Sequence, residues 1–303
     1  MRKIVFLMFF FVVLFPGMPH ASDPVSNCIN YYQAGDYRRA IDEGKRAVRL
    51  YPKSFSAHVW LGASYVKIGE FDLALSTMRK AERLAKSKED LSSVYNNLGS
   101  IYDRKGDLDN ALLYCTRYFQ LNRELGDRRD EAIALSCIAG IYMKKGDLDK
   151  ALQYYNESLR LQTDEKEIAT TYNNIATVYF QKGDYQRAVE YLEKAIDIDE
   201  RHGDYHGVAQ WMLNLGDTYR EMKKYREAFE NLTEGLKRIQ KVGDKYWEAL
   251  AYEYFGYLYR DQGDVKSAED YLRKAYNLLT SIGAASRASG VASELSSLRS
   301  RDK

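Results

Sequence analysis

The 303-residue chain carries 45 Lys+Arg against 43 Asp+Glu and is 45% hydrophobic, which suits a soluble folded protein and excludes a disordered or membrane-embedded one. Without Arg2 and Lys3, the only charges among the first 21 residues, basic and acidic side chains balance at 43 each, so no nucleic acid partner is expected, since phosphate binding needs surplus Lys and Arg. Pro52 is the only proline after residue 24, leaving nearly the whole chain free to be helical.

At the amino terminus Arg2 and Lys3 precede an apolar run from Ile4 to Phe15, then Pro16, Gly17 and a small residue, Ala21. This is the order of a secretory signal peptide over residues 1–21, so the mature protein is expected to be exported, periplasmic or extracellular. The run of twelve apolar residues falls short of the roughly 20 that cross a bilayer, so no membrane insertion is expected after cleavage. Pro19 departs from the small residue usual three before a cut. Ser22, Asp23 and Pro24 follow at once as a helix start, with Asp as N-cap and Pro in the first turn.

From there one pattern recurs seven times: QAGDYRRA, KIGEFDLA, RKGDLDNA, KKGDLDKA, QKGDYQRA, MKKYREA and DQGDVKSA. Its turn residues are Gly35, Gly69, Gly106, Gly146, Gly183, Lys223 and Gly263, spaced by 34, 37, 40, 37, 40 and 40 residues. Alanine stands five residues after each turn residue, tyrosine four before it, and Cys, Gly or Ala seven before it. The small residue and the tyrosine share one face of a first helix, glycine ends that helix, and the Asp that usually follows caps a second. Neither helix of such a hairpin buries its apolar face alone, so the hairpins must stack.

These residues resemble the tetratricopeptide repeat family, whose small residue, tyrosine, turn and alanine fall at these intervals with a usual period of 34. The resemblance covers residues 22–284 and implies an all-α fold, an α-solenoid wound as a right-handed superhelix of seven hairpins. Only the first copy keeps a proline after its second helix, Pro52. Copies three, five and six carry six extra residues, as in the 40-residue branch of the family, many of whose members hold peptide segments of partner proteins. Over residues 285–303, Ala288, Val291, Leu295 and Leu298 form one apolar face while Arg287, Ser293, Ser297 and Arg299 point away, as in a helix capping the array.

Cys28 occupies a small-residue slot and is expected to be packing. Cys115 and Cys137 flank the turn at residue 126 at equal distance, which puts them at the same height on antiparallel helices. Two buried thiols are the expected state, with a bridge as the alternative in an oxidising compartment. His202, Asp204 and His206 lie across a turn rather than along one helical face, so no metal site is expected. No phosphate loop, nucleophile elbow or zinc-protease helix occurs, and neither an enzyme nor a cofactor is expected.

The resemblance places residues nine before each turn on the inner, concave wall: Ser26, Trp60, Asn97, Cys137, Asn174, Asn214 and Tyr254. An Asn amide both donates to and accepts from a guest backbone, so Asn97, Asn174 and Asn214 form a candidate ladder for an extended chain. The alternative is that Asn merely suits a solvated helix face. Around the ladder the wall is expected to carry Asn96, Asn173, Thr177, Phe180, Leu213, Tyr257, Arg104, Arg220 and Arg260. The resemblance thus implies a non-catalytic scaffold that holds an extended or helical peptide segment of a partner protein. The second reading is a receptor that changes superhelix conformation on binding a peptide.

Overall fold

The computed structural model describes residues 23–301, with side chains through residue 298; the expected signal segment lies outside them. Fifteen α-helices and no strand occur among the described residues. The chain divides inside the fifth helix into two compact units, residues 1–101 and 102–303. The first contains α1 (Pro24–Gln33), α2 (Tyr37–Leu50), α3 (Phe55–Lys67), α4 (Phe71–Leu84) and most of α5 (Lys88–Lys105). The second contains the end of α5, then α6 (Leu108–Leu125), α7 (Arg128–Lys144), α8 (Leu148–Leu161), α9 (Glu165–Gln181), α10 (Tyr185–His202), α11 (Tyr205–Glu221), α12 (Tyr225–Val242), α13 (Lys245–Asp261), α14 (Val265–Ser281) and α15 (Ala285–Arg301). The fold is an all-α solenoid of helix hairpins.

Each hairpin is built by its turn. Asp36, Asp107, Asp147, Asp184 and Asp264 cap the second helices by accepting from the backbone N–H three residues on, which satisfies a donor that has no partner in the helix. The glycine before each cap sits at positive φ, and in the sixth turn Lys223 takes the same left-handed conformation at φ 59°. A Cβ makes that conformation costly, so the sixth turn is held against local preference by the helices it joins.

All seven repeat alanines, Ala40 to Ala268, are fully buried. The small slot seven before the turn faces the residue nine after it, and the two compensate in size. In the first unit Cys28 lies against Gly44, while Gly62 takes Met78. In the second, Gly216 takes Leu232 and Gly256 takes Leu272. Burial pushes the Cys28 thiol up to about 11, which makes it a packing residue rather than a nucleophile.

The structure departs from three expectations. Cys115 and Cys137 are joined by a disulfide, not left as thiols: their Cα atoms stand 6.2 Å apart across the α6–α7 turn, within the range a bridge needs. Leu213 does not line a wall but is fully buried, because Gly235 on α12 leaves it room. Arg287 does not point away from the array; its Nε donates to Glu253 Oε2 on α13 at 2.8 Å. Below it, Ala288, Val291 and Leu298 of α15 pack on Leu272, Ala275 and Leu279 of α14.

Candidate functional site

In the first unit, Ser26 is exposed and donates to the cap Asp23, and Trp60 stands edge-on to Tyr32 with ring centroids 5.2 Å apart. Asn96 is exposed, and half-buried Asn97 gives its amide to Ser93 O on its own helix. This leaves Asn97 chiefly its side-chain carbonyl for a guest.

The second unit gathers more. Its first helices α11 and α13 lie side by side, as do α7 and α9. In the minus-nine column Asn214 donates from Nδ2 to Asn173 Oδ1 at 2.8 Å, and the Tyr254 hydroxyl reaches Asn214 Oδ1 at 3.5 Å. Residues of three successive first helices are thus tied into one polar row. Asn174 is half-buried and makes no side-chain hydrogen bond among the described residues, so its amide keeps all of its capacity. Cys137 is spent in the disulfide, and Arg104 is exposed at the end of α5.

Beside the polar row opens a pocket of about 240 Å³ lined by Ala176, Thr177, Phe180, Gln181, Leu192, Asn214, Asp217, Thr218 and Tyr254. It brings together four of the residues expected from sequence: Thr177, Phe180, Asn214 and Tyr254. Asp217, Thr218 and Gln181 were not expected. Asp217 stands six before its turn residue, in the same column as Thr177 and Tyr257, and that column was the signal available. Burial pushes the Asp217 carboxyl above the usual range, against the opposing pull of Arg220. A larger depression, about 590 Å³, is lined by α8 alone, through residues such as Gln153 and Arg160. One helix surface cannot enclose a ligand, so the smaller pocket is the better candidate.

Tyr257, Arg220 and Arg260 stand outside this pocket's lining, in a charge network. Arg220 is only 6% exposed and pairs with Asp217, Glu221 and Asp261 at 2.5–2.7 Å. Burial alone would pull its pKa down; pairing with Asp217, Asp261 and Glu221 more than reverses this. Arg260 joins Asp261 and Glu294, and its guanidinium lies 5.0 Å from the Tyr257 ring centroid. The Tyr257 hydroxyl donates to buried Glu253. Neither arginine is free for a ligand, contrary to their expected place on an open wall: their partners sit on the next first helix, 41 and 34 residues on.

The repeat pattern is also matched by family models. Models described as tetratricopeptide repeat match residues 130–201, 167–241 and 207–281, and two further ones match residues 29–89 and 92–125. The chain belongs to the tetratricopeptide repeat family. Curated proteins yield no match. Among solved structures, the chain is similar to a signal transduction ATPase with a tetratricopeptide repeat sensor from Pyrococcus horikoshii, at TM-score 0.67 and 20% identity over 88% of this chain and 44% of that one. A tetratricopeptide repeat protein from Parabacteroides merdae matches at TM-score 0.62 and 19% identity, covering 84% of this chain and 91% of that one. A Rap protein complexed with Competence and Sporulation Factor matches at TM-score 0.61 and 17% identity, covering 90% and 86%. At these identities the likeness is one of fold.

Proposed function

We propose that this tetratricopeptide repeat protein is a non-catalytic scaffold that binds an extended peptide segment of a partner protein along the first helices of its second unit. The polar row Asn173–Asn214–Tyr254 beside the pocket carries this reading. A row of amide and hydroxyl groups offers a guest main chain hydrogen bonds at each repeat, and a pocket beside it takes a side chain. Tetratricopeptide repeat proteins are generally non-catalytic scaffolds, and the similar Rap structure holds a factor described as Competence and Sporulation Factor.

The test is selection of a random heptapeptide library on the purified protein, followed by calorimetric titration of a selected peptide. With Asn174 and Asn214 both replaced by Ala, the peptide should bind about thirtyfold more weakly. That figure allows about 1 kcal/mol for each neutral hydrogen bond. The melting temperature should hold, because Ala is the better helix former. Failure to enrich any peptide, or unchanged affinity in the double variant, sinks the reading.

We further propose that the protein acts outside the cytoplasm. The Cys115–Cys137 disulfide fits an oxidising compartment, and the basic and apolar order of residues 2–21 fits export. Amino-terminal sequencing of protein from its native host should begin at or near Ser22; recovery of Met1 or Arg2 contradicts it.

A further inference from the structure

We propose that the pocket between α9, α11 and α13 is a specificity site for one basic residue of the bound peptide, an arginine above all, held by Asp217 against the rings of Phe180 and Tyr254. This rests on the peptide-binding reading and names the chemistry it selects.

The hydrogen-bond accounting of the lining points one way. Thr177 and Thr218 give their hydroxyl protons to the carbonyls of Asn173 and Asn214 in their own helices. Asn214 gives an amide proton to Asn173, and Tyr254 directs its hydroxyl at Asn214. Most donors are therefore spent within the wall, the second amide N–H of Asn214 apart, and what remains toward a guest is chiefly lone pairs. Exposed Gln181 at the rim is the other exception. Asp217 Oδ1 accepts from Arg220 at 2.7 Å, while its Oδ2 has no hydrogen-bond partner among the described residues. A guanidinium is the complement of such a wall, because it offers five N–H groups and accepts nothing.

Charge points the same way. The pocket lining contains no Lys or Arg. Behind it, four carboxylates, Asp217, Glu221, Asp261 and Glu294, share two guanidinium groups, Arg220 and Arg260. The surplus is negative, and Asp217 is the member that reaches the pocket. Phe180 and Tyr254 are the aromatic members of the lining, and a planar cation gains from stacking on such a ring. With about 30 Å³ per water-sized group, the pocket of about 240 Å³ holds one long side chain.

The same library selection tests this separately from peptide binding. Selected heptapeptides should share Arg, or less often Lys, at one register. Replacing that Arg by citrulline, which keeps its shape and loses its charge, should weaken binding by about ten- to a hundredfold, the usual range for a hydrogen bond to a charged group. Asp217→Asn should erase the difference between the two peptides. Thr177→Lys, which sets a cation in the pocket without touching the Asp217–Arg220 pair, should erase it as well and decides the matter if the first variant does not fold. Selection of peptides without a basic residue, or equal binding of the citrulline peptide, overturns this inference and leaves the peptide reading standing. Selection of none overturns both. Free arginine binding as tightly as the selected peptide overturns the assignment of the pocket to a peptide residue.

Discussion

Replacing Arg220 by leucine should destabilise the second unit by about 4 kcal/mol at neutral pH, within the range for removing one partner of a buried ion pair. The side chain is almost wholly buried and holds carboxylates of α11 and α13 together. Without it Asp217, Glu221 and Asp261 face one another with only Arg260 near Asp261. The deficit has a definite pH dependence. Asp217 is already raised in the wild type by burial, and losing the guanidinium raises it further, so the folded variant binds protons more tightly than the unfolded chain. Stability then falls as pH rises through the raised folded value, and the deficit fades as pH drops toward the unfolded carboxylate value of about 4. Urea denaturation of wild type and variant at neutral pH and at about pH 4.5 checks it. An equal deficit at both would show that the loss comes from packing of the arginine stem rather than from charge.

How much of this was legible depends on distance along the chain. The buried alanines, the turn glycines and the Asp caps follow from rules that act within one hairpin, and the periodic pattern exposes them directly. Even Lys223 was identifiable as a turn residue, because its neighbours keep the spacing. The polar row was half legible: Asn174, Asn214 and Tyr254 fall in one column, but the bond from Asn214 to Asn173 joins residues 41 apart. Arg220 looked like an open-wall cation because Asp261 is also 41 residues away, and nothing local marks them as partners. Leu213 resembled a wall residue for the same reason. It occupies the column of Asn96 and Asn173, and Gly235 opposite leaves the room that turns it inward. Asp217 is not marked by the sequence, because its column neighbours Thr177 and Tyr257 share no chemistry with it.

The charge network also bears on how the candidate site is held. Arg220 reaches from α11 to Asp261 on α13, Arg260 from α13 to Glu294 on α15, and Arg287 returns from α15 to Glu253. The first helices on the carboxy-terminal side of the pocket are therefore joined to one another, whereas at the pocket the charges give way to amides, hydroxyls and rings. The wall is cross-braced by ion pairs on that side, and at the pocket Asp217 Oδ2 is left for the proposed guest. The proposed guest would meet side chains already held by their neighbours, which lowers the entropic cost of capture.

That bracing begins with close helix approach, and Gly216→Val should show how much depends on it, at a cost of about 3 kcal/mol. A Cβ at Gly216 would stand 2.7 Å from Leu232 Cγ, 2.8 Å from its Cδ2 and 3.2 Å from the Ala228 carbonyl oxygen. The leucine carbons lie near their own backbone and the oxygen is part of one, so no rotamer change relieves all three. A Cβ at Gly235 would likewise stand 2.8 Å from Leu213 Cδ2, so α11 and α12 approach closely from both sides. Gly290 on α15 is the control: nothing lies within 4 Å of a Cβ there, so Gly290→Ala should gain up to about 1 kcal/mol from helix propensity alone. Leu232→Ala alone should cost about 3 kcal/mol as a cavity. If the clash is the cause, the Gly216→Val, Leu232→Ala pair should cost at least about 1 kcal/mol less than the two added, because the new side chain enters the space the leucine leaves. Strict additivity in urea denaturation followed by tryptophan fluorescence would show that Gly216 matters for some reason other than admitting Leu232. Since Asn214, Asp217 and Thr218 flank this glycine on α11, the single variant should also weaken the selected peptide, and the double variant should recover part of that affinity.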